Sequence, residues 1–252
     1  MNLEASAKRV AFRQLHESGH FILPNPWDIG GVRRLEKLGF KALASTSAGA
    51  AWALGKQDGE LTLTEALDHL RLLCAATDLP VNADFEAGFA DSPEGVAANV
   101  ALAIDTGIAG VSIEDWSGES IYPLPLAVER IAAARAAIDA SGQDVLLVGR
   151  AEGYRIDKAP IHETIERLTA YAAAGADVLY APWIVDLDEV RTLVAAVAPK
   201  PLNVLLHHPG VMVGELAAVG VRRFSVGARL ASYAWAAFEA AAVSVRDEGH
   251  LP

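Results

Sequence analysis

The fold class this sequence predicts is a (β/α)8 barrel in the α/β class. Eight short apolar runs, each followed by a helix-length segment, recur along the 252 residues. The runs are continuously apolar, as strands of a parallel sheet buried on both faces are. Connections are short and no Gly/Ser- or Pro-rich linker divides the chain, so residues 1–252 are expected to form a single barrel domain. A doubly wound open sheet is the rival, but no G-x-G-x-x-G follows the first strand.

The elements follow in order. Residues 1–19 read as an amphipathic helix, with Val10, Phe12 and Leu15 apolar among charges. The first strand covers 21–25, and its helix runs through 32–38 to stop at Gly39. The second strand covers 42–46; Thr64 is the expected cap of a helix running to Ala76. After a strand at 81–85, Ser92-Pro93-Glu94 opens a helix with a capping side chain and a proline at its first position, ending near Gly107. A strand at 110–115 precedes an Ala-rich helix over 126–140, stopped by Ser141-Gly142. The fifth unit pairs 145–150 with a helix over 162–174, stopped by Gly175; the sixth pairs 178–181 with 187–197. The seventh pairs 202–206 with 212–219, ended by Gly220, and the eighth pairs 223–227 with 230–245.

Composition narrows the function. Hydrophobic residues make up 52% of the chain, enough for a full core. A net charge of −11 argues against nucleic acid and anionic membrane surfaces as partners. The lone cysteine, Cys74, excludes an internal disulfide and reads as a buried core thiol on a helix. No apolar signal core begins the chain and no run of about 18 apolar residues crosses a membrane, so the expectation is a cytoplasmic protein.

In barrels of this class the site lies at the C-terminal ends of the strands. Read there, the chain offers Asn25, Trp27 and Asp28 after the first strand, then Thr46, Ser47, Ala48 and Gly49. The third strand adds Asn82, Asp84 and Glu86, the fourth Glu114, Asp115 and Trp116, the fifth Arg150 and Glu152. Pro182 and Trp183 follow the sixth, Asn203, His207 and His208 mark the seventh, and Gly227 ends the eighth. Strand alternation puts Asn82, Asp84 and Glu86 on one face, a set of hard oxygen donors suited to Mg²⁺ or Mn²⁺; the same pattern also suits a solvated acidic turn. Asp115 should face away from Glu114. Arg150 stands as a single internal arginine among carboxylates, and Glu152 is placed to orient it. His207 is a candidate acid or substrate contact, or else one of a loop pair with His208 before Pro209. Asn25, Asn203 and Trp116 are candidate substrate contacts.

In those residues the chain resembles the isocitrate lyase/phosphoenolpyruvate mutase superfamily. The likeness rests on L-P-N-P-W-D at 23–28, S-T-S-A-G-A-A-W-A-L-G-K-Q-D-G at 45–59 and N-A-D-F-E-A-G-F at 82–89. It continues with S-I-E-D at 112–115, G-R-A-E-G at 149–153 and G-V-R-R-F-S-V-G at 220–227. The resemblance implies that Thr46 and the N–H groups of Ser47 and Ala48 hold the oxo-acid end of a substrate. It implies that Asp58 lies over the site, that Asp84 and Glu114 hold Mg²⁺, and that Arg150 clamps an anionic group. It further implies a homo-oligomer, a dimer or tetramer, with the last helix packed on a neighbour; packing on its own barrel is the alternative.

The departures select among branches. Asn82 stands where the family carries an acid. The segment 116–124 contains no Cys or His, which argues against isocitrate and methylisocitrate lyase chemistry. Pro182 stands where the mutase and phosphonopyruvate hydrolase branches carry His. The expectation is therefore a Mg²⁺-dependent lyase or decarboxylase acting on a small 2-oxo or 2-hydroxy acid through an enolate. The alternatives are P–C bond chemistry and an acid-binding barrel without turnover.

Overall fold

The computed structural model of the chain describes residues 3–156, 159–184, 186–210 and 212–251. Strands β1 (Phe21–Leu23), β2 (Leu43–Ala44), β3 (Val81–Asp84), β4 (Gly110–Glu114), β5 (Leu146–Arg150), β6 (Val178–Tyr180), β7 (Leu202–Leu205) and β8 (Arg223–Ser225) form one sheet. All pairings are parallel, in the order β1-β8-β7-β6-β5-β4-β3-β2, so the first and last strands are neighbours and the sheet curls into a barrel. Around it run α1 (Leu3–Leu15), α2 (Ile29–Lys37), α3 (Ser47–Ala53), α4 (Leu63–Ala75), α5 (Pro93–Ile104) and α6 (Leu124–Ser141). They are followed by α7 (Gly153–Ile156), α8 (Ile161–Ala173), α9 (Leu187–Val197), α10 (Val213–Ala218) and α11 (Arg229–Glu248).

The strands sort their side chains by alternation. On β5, Leu147 joins the core between sheet and helices, whereas Leu146 and Val148 pack inside the barrel and Arg150 points to its open end. The lower lumen is plugged by Phe12 of α1, fully buried with Phe21, Leu23, Ala42, Ala44, Ala109 and Leu146. Burying such a ring contributes about 2–3 kcal/mol. Gly110 makes room for the plug: a β-carbon there would lie 2.5 Å from Asn82 Oδ1 and 2.8 Å from Phe12.

The seam between β1 and β2 is closed by side chain and backbone rather than by a ladder. Ala44 N donates to Pro24 O at 3.0 Å. Asn25 donates to Ser45 O at 2.7 Å, and its Oδ1 accepts from Val226 N and Gly227 N at 2.9 Å each. One carboxamide thus ties the ends of β1, β2 and β8 together.

Several expected boundaries shift. The first helix ends at Leu15, not residue 19, and its expected start at residues 1–2 lies outside the described residues. The cap of α4 is Thr62 rather than Thr64, because Thr62 and Glu65 close a reciprocal capping box. Residues 47–53, to which the sequence reading assigned no element, form α3, capped by Thr46, whose Oγ1 accepts from Gly49 N at 3.3 Å. The stops at Gly39, Gly142, Gly175 and Gly220 stand, each with the positive φ that glycine adopts cheaply.

The last helix corrects one of the two readings given for it. It does not bury its apolar side on its own barrel: Tyr233 is 68% exposed and Phe238 64%, with Trp235, Val243 and Val245 also exposed. No helix among the described residues is long and apolar enough to cross a membrane.

Candidate active site

The rim at the C-terminal strand ends is built on an ion-pair cluster around Arg150. Its Nη1 lies 3.2 Å from Asp84 Oδ1 and 3.1 Å from Glu114 Oε2, and its Nε donates to Glu152. Burial works against the guanidinium charge, but Glu114, Glu152 and Asp84 outweigh it and hold the pKa well above its ordinary value. Glu152 is fully buried; its carboxylate also takes Arg155 Nη1 at 3.2 Å, and its backbone N–H donates to Asp115 Oδ1 at 2.8 Å. Asp115 in turn accepts from Tyr171 Oη at 2.6 Å and pairs with Arg167 at 3.1 Å. Asp115 therefore faces away from the cavity, as its alternation with Glu114 predicts, and Glu152 is the piece that fixes Arg150.

A second set of contacts joins the end of β3 to the start of α3. Asp84 Oδ2 accepts from Ser47 N at 3.0 Å and Ser47 Oγ at 3.1 Å, while Asp84 N donates to Ser45 Oγ at 2.8 Å. Ser47 Oγ also lies 3.2 Å from Asp58 Oδ1, bringing the turn after α3 over the rim. Gly49 is required here, since a β-carbon would meet Thr46 at 2.7 Å and Trp27 at 2.9 Å.

The carboxylates outnumber the cations. Desolvation raises the pKa of Glu86 to about 7, with the charges of Asp84 and Asp58 adding to it. Desolvation likewise raises Glu114, against the pull of Arg150, with help from Glu152, Asp84 and Glu86. Asp58, although on an exposed turn, is raised by desolvation of its carboxylate and by Asp84. Glu86 lies past the end of β3 with φ 46°, an uncommon backbone for a non-glycine residue, and its buried Oε1 has no hydrogen-bond partner.

These features bear on whether a divalent cation fits. The donors are hard oxygens, one is orphaned, and the excess negative charge is what a cation relieves. Among the described residues, however, no three His, Cys, Asp or Glu side chains converge closely enough to form a complete cage. An ion here would therefore keep several waters, as Mg²⁺ commonly does, and Asp84 and Glu114 would give up part of their pairing with Arg150 to hold it, beside the orphaned oxygen of Glu86. Asn82 lies elsewhere. It points into the lumen one step, roughly 6.6 Å of strand rise, below Asp84, where its Nδ2 bonds Ala83 O at 3.0 Å and its oxygen packs against Gly110.

Two cavities share Ser47, Asp58, Arg150 and Arg155 as their common wall. One, of about 250 Å³, descends from Thr46, Ser47 and Ala48 into the lumen, where Asn82, Asn203 and Arg223 line it. The other opens beneath the loop after β4 and is lined by Glu86, Glu114 and Trp116. His207 lines neither; it is buried under Trp183 at 4.2 Å between ring centroids, with Nδ1 3.1 Å from Leu205 O. Asn25 lines the first cavity, but its amide is engaged at the seam. Cys74 lies on α4 in the outer core, where burial pushes its thiol up to about 12.

The expectation of a single internal arginine is corrected: Arg150, Arg155 and Arg223 all line the first cavity. Arg155 carried no signal, because the short helix α7 that positions it gives no periodic pattern. Arg223 was legible, since alternation along β8 sends Arg223 and Ser225 inward and Phe224 outward.

The family model described as phosphoenolpyruvate phosphomutase matches residues 12–246. A solved candidate lyase/mutase from Burkholderia cenocepacia J2315 superposes with a TM-score of 0.95 at 45% identity, covering 98% of this chain and 91% of that one. Oxaloacetate acetylhydrolase, solved with its product oxalate, gives a TM-score of 0.89 at 28% identity, covering 99% of this chain and 89% of that one. Oxaloacetate decarboxylase of Rhodopseudomonas palustris is 30% identical over 232 residues, 86% of this chain and 77% of its own.

Proposed function

The chain belongs to the isocitrate lyase/phosphoenolpyruvate mutase superfamily of enzymes, and on that premise we propose that it cleaves a C–C bond in a small 2-oxo or 2-hydroxy acid. The observation that carries this reading is the Arg150 cluster at the cavity mouth, next to the start of α3 at Thr46, Ser47 and Ala48. Two relatives carry oxaloacetate in their names, and oxaloacetate is a 2-oxo acid whose C3–C4 bond can be cleaved with the electron pair passing to an enolate.

In this reading Arg150 binds a substrate carboxylate, and Thr46 with the N–H of Ala48 binds the oxo-acid end, the Ser47 N–H being taken by Asp84. Glu152, anchored through Asp115, keeps the guanidinium pointed at the cavity. Asp58 lies over the mouth, on the wall the two cavities share. A divalent cation held by Asp84, Glu86 and Glu114 would supply Lewis-acid stabilisation of the developing enolate. The loop after β4 offers neither Cys nor His, so reactions that need only enolate stabilisation, such as decarboxylation, suit this chain better than those needing a dedicated acid.

A subunit contact through α11 belongs to the same reading. Its exposed Tyr233, Trp235 and Phe238 make an apolar face of the kind that a second copy covers.

The test is an NMR screen of 2-oxo acids with Mg²⁺ or Mn²⁺. Pyruvate or another C–C cleavage product supports the proposal. Phosphate or phosphoenolpyruvate from phosphonopyruvate, without C–C cleavage, would replace it with P–C chemistry.

A further inference from the structure

At the closed end of the lumen sits a cation without a counter-ion. Arg223 is 3% exposed, and no carboxylate pairs with it among the described residues. Its Nε donates to Asn203 Oδ1 at 3.0 Å, while its Nη1 is buried with no partner. Burial pulls its pKa down to about 9, which leaves it charged at neutral pH. Two further buried atoms are orphaned nearby: His16 Nε2, whose ring lies 4.8 Å from that of Phe12, and Asn82 Oδ1, on a residue that lines the same cavity as Arg223. Arg223 Cζ lies 5.8 Å from the centre of the Phe12 ring. An isolated buried guanidinium is costly, and removing that cost takes an anion or, less completely, water.

The route to this charge is the cavity already described. Arg150, Tyr180, Asn203 and Arg223 are register partners across β5, β6, β7 and β8, so they form one continuous row along the inner wall. Tyr180 stands between the two arginines, with Arg150 Cζ 5.3 Å from its ring. The row crosses three strand spacings of about 4.8 Å and is lined from rim to base by the same cavity. Of the three arginines there, Arg150 and Arg155 pair with carboxylates of the protein and Arg223 does not. A second acidic group on a ligand meets no unpaired cation at the rim, where Arg150 is shared with Asp84 and Glu114, and meets one in Arg223 below.

We infer that the base of the lumen is a second anion subsite, in which Arg223 receives the far carboxylate of a dicarboxylic substrate whose oxo-acid end is held at the rim. The inference rests on the rim reading for the near end of the substrate, but the Arg223 charge is independent of it.

Calorimetric titration of the full chain with pyruvate and with the dicarboxylates malonate and succinate tests it, using wild type, Arg223→Gln and Arg223→Lys. Expected are dicarboxylate binding at least tenfold weaker in Arg223→Gln, partial recovery in Arg223→Lys, and pyruvate binding changed less than twofold. Wild type that binds neither dicarboxylate overturns the inference. So does Arg223→Gln, folded by circular dichroism, that binds them like wild type, because Arg223 then faces water only. An unfolded Arg223→Gln leaves the decision to Arg223→Lys: there, a dicarboxylate affinity reduced with pyruvate unchanged supports the subsite, and both unchanged or both lost counts against it. Failure of pyruvate to bind wild type, with Arg223-dependent succinate binding intact, counts against the rim reading alone.

Discussion

Arg150 Nη1 stands 3.2 Å from Asp84 Oδ1 and is held there from behind by the buried Glu152. The guanidinium thus occupies the space between carboxylates that would otherwise repel one another, and it does so at the mouth of the cavity. Substrate binding draws on an arginine that is already oriented, so little side-chain entropy is lost when it takes a carboxylate.

Removing that guanidinium should therefore be felt in turnover. A charge-assisted contact to a substrate carboxylate contributes about 1.5–3 kcal/mol. Arg150→Ala is expected to lower kcat/KM by roughly ten- to a hundredfold or more. Steady-state kinetics on the folded variant checks this; unchanged turnover would remove Arg150 from the site.

Cys74 makes the opposite prediction. Its thiol is buried in the outer core and raised to about 12 by desolvation, so it is neither nucleophilic nor available as an acid. Cys74→Ala should retain activity within about twofold and lose on the order of 1 kcal/mol of stability. Thiol alkylation of the native enzyme should leave turnover intact, and inactivation would restore a thiol-based mechanism.

The crowded rim predicts a pH dependence of folding. Glu86 has its pKa raised from 4.5 to about 7, chiefly by desolvation, with Asp84 and Asp58 contributing. The folded state therefore binds more protons than the unfolded state between those values, and stability falls as pH rises through that window. In chelator-treated protein, urea midpoints should drop from pH 5 to pH 7, and Glu86→Gln should flatten the slope. A midpoint that climbs with pH in wild type but not in Glu86→Gln would reverse the sign assigned to this group.

The exposed face of α11 predicts self-association. Phe238→Glu places a charge on the apolar side of that helix, where Trp235 meets Phe238 at 5.9 Å between centroids. Light scattering should show an oligomer for wild type and a smaller species for the variant. A monomeric wild type would leave that face for another partner.

Much of this molecule was legible in the residues. The strand count and order of units follow from apolar runs punctuated by glycines such as Gly39 and Gly175, because those positions need positive φ. Asp84, Glu114 and Arg150 could be read as rim residues since each ends a strand. What alternation could not supply is depth. Asn82 and Asp84 share a face, yet two residues of strand rise put one in the lumen and the other on the rim. His207 follows its strand but is turned under Trp183, a packing choice no spacing encodes. Arg155 is placed by a single helical turn, too short to leave a period.

The most direct test of the account is metal dependence of C–C cleavage measured beside metal binding. With the accepted 2-oxo acid in an NMR assay, product formation should stop in EDTA and return with added Mg²⁺ or Mn²⁺. Calorimetry should show Asp84→Asn losing the metal while circular dichroism stays native. Full turnover by the chelated, metal-free protein would contradict the enolate mechanism at its centre.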